Sequence, residues 1–70
     1  MVILYQREAY ASSPKDTALE FARTYWAKPR KIRWGDNNSF KMVGGAGRLY
    51  HVLAATSPQG VSLYQIVADG

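Results

Sequence analysis

Three turn-forming segments divide the second half of the chain, and they constrain the fold more than any other feature. They are rich in Gly, Asn, Asp, Ser and Pro, which favour tight turns, and they cover residues 35–39, 44–47 and 57–60. The alternating or apolar segments around them predict strands at residues 30–34, 40–43, 48–55 and 61–67. Because connections this short cannot form parallel crossovers, we expect an antiparallel meander.

The first half of the chain predicts one strand and one helix. Residues 2–8 read as a strand. Ser13, Pro14 and Asp16 have the spacing of an N-cap, a first helical residue and a capping box, so we predict a helix over residues 14–27. The apolar arc of this helix contains Ala18, Leu19, Phe21, Ala22, Tyr25 and Trp26.

Together these elements predict one α+β domain over residues 1–70, with the order β-α-β-β-β. We expect an antiparallel sheet that is covered on one face by a single helix. A symmetric first hairpin places Trp34 opposite Phe40 and Arg33 opposite Lys41.

The first and last predicted strands are apolar on both sides. In the first strand, Ile3 and Tyr5 point one way, whereas Val2 and Leu4 point the other way. One helix covers one side of a sheet, so some apolar surface is left for a homodimer or another partner. The alternative is a strongly twisted sheet that folds over its own edges.

The strongest functional signal is a run of basic residues between the helix and the second strand. Residues 28–33 contain four of the nine basic residues in a chain of net charge +4. Such a concentration indicates an acidic protein surface, nucleic acid or a membrane as partner. Lys and Pro also protect strand edges from aggregation, but four basic residues exceed what that needs.

If this run binds a partner, basic and aromatic residues near it are further candidates for contacts with that partner. Trp34, Tyr50 and Tyr64 are candidates for a stacking platform that holds single-stranded nucleic acid, although the pattern favours a core position for Trp34, on the face that the helix covers. The predicted binding residues, for protein or nucleic acid, are Lys28, Arg30, Lys31, Arg33, Lys41, Arg48 and Tyr50.

Catalysis is disfavoured by the composition. The chain has no cysteine, one histidine and five scattered acidic residues, so we expect neither a metal site nor a cofactor. The segment Gly44–Gly47 leads into a strand and lacks a Lys-Ser/Thr pair, which favours a flexible turn over a phosphate loop. A ribonuclease that uses His51 with Arg48 and Lys41 is the enzymatic alternative. A lone histidine in a half-buried strand is the simpler interpretation, and we expect a protein that is not an enzyme.

A membrane role is also disfavoured. The polar face of the predicted helix carries Asp16 and Glu20, which is wrong for a basic anchor on a lipid surface. No signal peptide or membrane span is evident, so we expect a cytoplasmic protein.

In size, basic character and layout, the chain resembles small phage-encoded inhibitors, including several anti-CRISPR proteins. The resemblance covers the whole chain but rests on architecture, and no diagnostic motif carries it. It implies a non-catalytic protein of the host cytoplasm that acts stoichiometrically and blocks a nucleic-acid-handling defence complex. Such a protein contacts an acidic surface of that complex or its nucleic acid. A direct DNA- or RNA-binding module is the alternative.

Overall fold

Five strands form one antiparallel sheet, and one helix packs against it. The computed structural model describes residues 2–10, 12–26, 31–44 and 46–68. The strands are β1 (Val2–Glu8), β2 (Ile32–Trp34), β3 (Ser39–Met42), β4 (Tyr50–Thr56) and β5 (Ser62–Ala68). The helix α1 (Pro14–Tyr25) follows β1. The spatial order is β1-β5-β4-β3-β2, so β1 and β2 are the edge strands.

The predicted α+β class and antiparallel sheet are confirmed. Each of the four segments predicted after the helix forms a strand, so the full order is β-α-β-β-β-β, and the order β-α-β-β-β counts one strand too few. The bounds of β1 are as predicted, and those of the other strands differ from the predicted ones by at most two residues. The first hairpin has the predicted register, with Trp34 opposite Phe40 and Arg33 opposite Lys41.

The N-terminus of α1 is held by the predicted capping box. The backbone N–H of Asp16 donates to Oγ of Ser13 at 3.2 Å, and the backbone N–H of Ser13 donates to the Asp16 carboxylate at 3.1 Å. These bonds satisfy two donors that the first turn of a helix leaves unpaired. The helix ends at Tyr25 with Trp26 as its C-cap, and the predicted last residue, Ala27, lies outside the described residues.

The predicted apolar arc of the helix needs correction at three positions. Leu19 and Tyr25 are 45% and 57% exposed, whereas Thr17 is completely buried. Burial of Thr17 is tolerated because its hydroxyl donates to the carbonyl oxygen of Ser13 at 3.2 Å. The buried stripe is therefore centred closer to Phe21 than the apolar pattern suggested.

Phe21 lies at the centre of the aromatic core. Its ring centroid is 6.1 Å from that of Tyr5, 5.5 Å from that of Tyr50 and 6.5 Å from that of Phe40. The interplanar angles lie between 46° and 73°, within the tilted and edge-to-face range that aromatic pairs prefer. The helix is thereby fixed over the centre of the sheet.

The alternation predicted for β1 is wrong because the strand contains a bulge. The pairing with β5 shifts between Ile3 and Tyr5, so Ile3 lies opposite Val67 and Tyr5 lies opposite Ile66. Since neighbouring residues of β5 point to opposite faces, Ile3 and Tyr5 also do. The bulge places Tyr5 under the helix and leaves Ile3 55% exposed.

The sheet has two chemically different faces. We call the side that α1 covers the helix face; its residues include Trp34, Phe40, Tyr50 and Ile66. We call the other side the open face; its residues include Arg33, Lys41, His51, Leu53 and Ile3. Leu53 is 39% exposed, so apolar side chains do reach solvent there, as predicted.

Candidate binding surface

The hairpin of β2 and β3 presents a cross-strand pair of positive charges. Arg33 lies directly opposite Lys41, and both side chains are exposed on the open face. Lys31, also exposed, precedes β2, and its carbonyl oxygen accepts from the backbone N–H of Val43 at 2.8 Å. Like charges that face each other across an antiparallel ladder destabilise it. The pair therefore costs stability instead of adding to it.

No carboxylate neutralises this pair among the residues that the structure describes. The one ion pair found there joins Nη1 of Arg7 to Oε2 of Glu20 at 2.7 Å and ties β1 to α1. Asp36, in the turn between β2 and β3, makes no ion pair with Arg33 or Lys41. Within the described part of the chain, the positive charge of the hairpin thus faces solvent without an ion-pair partner.

The turn of this hairpin fixes the geometry of the pair. Asn37 and Asn38 have φ values of 55° and 57°, and the backbone N–H of Ser39 donates to the carbonyl oxygen of Asp36 at 3.0 Å. Two successive residues in the left-handed region are typical of the type I′ turn, whose twist matches that of paired strands. Asn tolerates this region better than most residues.

Arg48 and Tyr50 lie on the helix side of the sheet, away from this pair. The guanidinium carbon of Arg48 is 5.8 Å from the ring centroid of Tyr50, which is a cation–π arrangement. Tyr50 is only 7% exposed and stacks on Phe40 at 5.3 Å. We predicted Tyr50 as a binding residue, but most of its surface belongs to the core because its position on β4 faces α1.

The predicted stacking platform is wrong in one respect. Trp34 and Tyr50 face the helix, whereas Arg33 and Lys41 face the opposite side. Lys15 of α1 lies over the ring of Trp34, 5.9 Å from its centroid. Alternation along a strand separates neighbouring residues onto two faces, so residues adjacent in the sequence do not form one basic and aromatic surface.

Half of the predicted basic run cannot be placed. Lys28 and Arg30 lie outside the described residues. The structure brings together Lys31, Arg33 and Lys41, which we call the basic hairpin.

The proposed ribonuclease constellation is divided between the two faces. His51 is half-buried on the open face, opposite Ser39 on one side and Val67 on the other. Lys41 shares that face, but Arg48 lies over Tyr50 on the helix side. In this arrangement His51 and Arg48 do not converge on one point.

Two clefts open at the end of the sheet, beside residues 43, 44 and 46–49. β4 begins at Tyr50, opposite Phe40, so the last two residues of β3 extend beyond it. One cleft, of about 360 Å³, lies on the helix side and is called the aromatic cleft. Its described lining is Trp26, Met42, Gly44, Ala46, Gly47, Arg48 and Tyr50. The other, of about 220 Å³, is called the basic cleft and is lined by Arg33, Lys41, Met42, Val43, Gly44 and Gly47.

The two clefts share part of their walls. Met42, Gly44 and Gly47 line both, so the clefts adjoin around the end of the sheet. Sequence reasoning missed Trp26 and Met42 as residues that line a cleft, because both pack in or against the core, where Met42 is only 5% exposed. The glycines of this loop were the sequence signal that could have indicated the clefts, because glycine has no side chain to fill them. Gly44 and Gly47 have φ values of 80° and 76°, which glycine adopts readily.

The described residues contain no group of three or more His, Cys, Asp or Glu side chains that could hold a metal ion. Within the same part of the chain, no helix is both long and apolar enough to span a bilayer.

Comparison with known proteins finds no matching family model, no similar curated protein and no similar solved structure.

Proposed function

We propose that this protein is a non-catalytic binding protein that acts stoichiometrically and uses the basic hairpin to contact an anionic partner. The observation that carries the proposal is the cross-strand pair of Arg33 and Lys41, exposed on the open face without a carboxylate partner among the described residues. Phosphate or carboxylate groups of a partner would relieve the repulsion within the pair.

Edge protection alone does not account for the pair. A single lysine on a short edge strand is enough to discourage strand addition, and β2 has only three residues. Lys41, however, lies on β3 directly opposite Arg33, where it repels the charge that already protects the edge of β2. A second positive charge at this position is therefore better explained by binding.

The resemblance to small phage-encoded inhibitors, including anti-CRISPR proteins, suggests what the anionic partner is. On this view the partner is a nucleic-acid-handling defence complex in the host cytoplasm, and the basic hairpin occupies an acidic surface of that complex or its nucleic acid. Direct binding of DNA or RNA is the second candidate, and the two adjoining clefts beside the hairpin favour it. Self-association through the open face remains a prediction.

The test compares two double variants that remove the same charges. R33Q/K41Q removes one arginine and one lysine from the basic hairpin and leaves Lys31, whereas K15Q/R23Q removes one lysine and one arginine from α1. Both are titrated against labelled single-stranded DNA, double-stranded DNA, RNA and polyglutamate at low salt. We expect at least one of these polyanions to bind the wild-type protein and K15Q/R23Q, but R33Q/K41Q at least tenfold more weakly.

Equal weakening by the two double variants would contradict the proposal, since only net charge would then matter. Degradation of the labelled RNA, abolished by His51→Ala, would replace it with the ribonuclease alternative. Circular dichroism of each variant confirms that the fold is retained.

A further inference from the structure

We infer that the aromatic cleft accepts one unpaired base of a single-stranded nucleic acid whose phosphates lie on the basic hairpin and Arg48. This inference rests on the proposed function, and it names nucleic acid as the anionic partner. It is carried by the walls of the aromatic cleft, by its charge and by its connection to the basic cleft.

The walls of the cleft suit a flat aromatic ligand. The rings of Trp26 and Tyr50 stand almost perpendicular, at 88°, with centroids 6.4 Å apart. They form a corner in which the partly exposed Trp26 is the stacking wall and the mostly buried Tyr50 is the floor. Met42 adds a polarisable side chain, and Gly47 leaves the loop side open because a Cβ there would meet nothing within 4 Å. The volume of about 360 Å³ lies at the small end of ligand sites.

The charge of the cleft selects an anionic ligand. Its described lining includes Arg48 and no acidic residue. One face of the Arg48 guanidinium is directed to the ring of Tyr50, and arginine carries five N–H donors in total. A guanidinium held on an aromatic ring beside a stacking site is suited to a phosphate next to a base.

The position of the two clefts side by side favours a ligand that is a polymer, because a polymer can occupy both clefts at once. Because Met42, Gly44 and Gly47 line both clefts, a chain can pass from the aromatic corner to Arg33 and Lys41 without crossing the core. A single strand alternates bases and phosphates and can place one base in the corner with neighbouring phosphates on the basic hairpin. The bases of a duplex are stacked and paired, and they cannot enter such a corner. An acidic peptide would use the basic cleft but would leave the aromatic walls without a partner.

The test measures how much affinity depends on the bases. The wild-type protein is titrated at low salt with a ten-nucleotide thymidine oligomer and with an oligomer of ten abasic deoxyribose phosphates. We expect the first to bind about 5- to 150-fold more tightly, the range for stacking one base on an aromatic side chain.

A variant that fills the cleft locates the effect. Ala46 is exposed and lines the cleft, so Ala46→Trp should reduce this preference to less than about twofold. The control Gln59→Trp places the same ring in the turn between β4 and β5, at the other end of β4, and should keep the preference.

A spectroscopic variant gives a second measurement that does not depend on Ala46→Trp folding. The chain has two tryptophans, so Trp34→Phe leaves Trp26 as the only one. The thymidine oligomer should quench the fluorescence of Trp26, and the abasic oligomer should not.

Equal affinity for the two oligomers, with loss of both in R33Q/K41Q, would overturn the inference and leave the proposed function standing. Binding of polyglutamate but neither oligomer would also overturn it and would identify the partner as an acidic protein. Failure to bind any of the three at low salt would remove the inference and contradict the proposed function as well.

Discussion

Replacing Phe21 should remove the contact that holds the helix on the sheet. Phe21 is 3% exposed, and its ring contacts those of Tyr5, Phe40 and Tyr50. Truncation of a buried phenylalanine to alanine costs about 3–5 kcal/mol. At about 0.05–0.15 kcal/mol per residue, a chain of 70 residues has a free energy of unfolding of about 3.5–10 kcal/mol. Phe21→Ala should therefore lose about 30% of its stability or more, and at the lower end of the range it should be largely unfolded.

A graded variant keeps this prediction measurable if Phe21→Ala does not fold. Phe21→Leu retains most of the volume and should cost about 1–2 kcal/mol. That loss corresponds to a decrease in melting temperature of about 4–16 °C for a domain of this size. Thermal and urea denaturation, followed by circular dichroism, give the stability of each variant.

Leu19→Ala is the matched control on the same helix. The sequence pattern placed Leu19 in the apolar arc, but the side chain is 45% exposed. Truncation there should change the free energy of unfolding by about 0.5 kcal/mol or less. If Leu19→Ala were as destabilising as Phe21→Ala, the position of the helix on the sheet would be wrong.

Two further predictions concern the capping box and the last turn. Ser13→Ala removes the acceptor for the N–H of Asp16 and should cost about 1 kcal/mol in urea denaturation, whereas Ser13→Asp, which keeps an acceptor, should recover most of that loss. Gly60 has a φ of 84°, so Gly60→Ala should be destabilising by about 1 kcal/mol despite the open space around it, and Gly60→Asn should cost less. No loss of stability in Ser13→Ala or in Gly60→Ala would show that the local geometry at that position is not as described.

Local signals predicted most of the fold. The spacing of Ser13, Pro14 and Asp16 located the start of the helix, and turn composition separated the strands. The register of Trp34 and Phe40 followed from the assumption that the hairpin closes symmetrically around its turn, and that register is confirmed. Each of these features depends on residues that are close in the sequence.

Features that depend on distant contacts were not predictable in the same way. Val2, Ile3, Leu4 and Tyr5 are all apolar, so no pattern marked the bulge that places Ile3 and Tyr5 on opposite faces. Thr17 is polar by type, and only the bond to the carbonyl oxygen of Ser13 makes its burial acceptable. The order of the strands in the sheet could not be predicted from the sequence pattern either. It depends on the pairing of β1 with β5, which lies at the other end of the chain.

The candidate site was predicted in part. Arg33 and Lys41 were expected on one face and are found there. The sequence did not show that Tyr50 belongs mainly to the core, because a tyrosine in an alternating strand fits either face. The aromatic cleft was missed because it is formed by the loop after β3 and by Trp26, which are separated by the whole β2–β3 hairpin.

The salt dependence of binding tests most directly the central claim that the basic hairpin contacts phosphates. Affinity for the thymidine oligomer is measured over a range of salt concentrations for the wild-type protein, R33Q/K41Q and K15Q/R23Q. Each phosphate contact on a single strand contributes about 0.7 to the slope of log affinity against log salt. Loss of two contacts should make the slope about 1.4 less steep in R33Q/K41Q and leave it unchanged in K15Q/R23Q. Equal slopes in all three proteins would contradict the account.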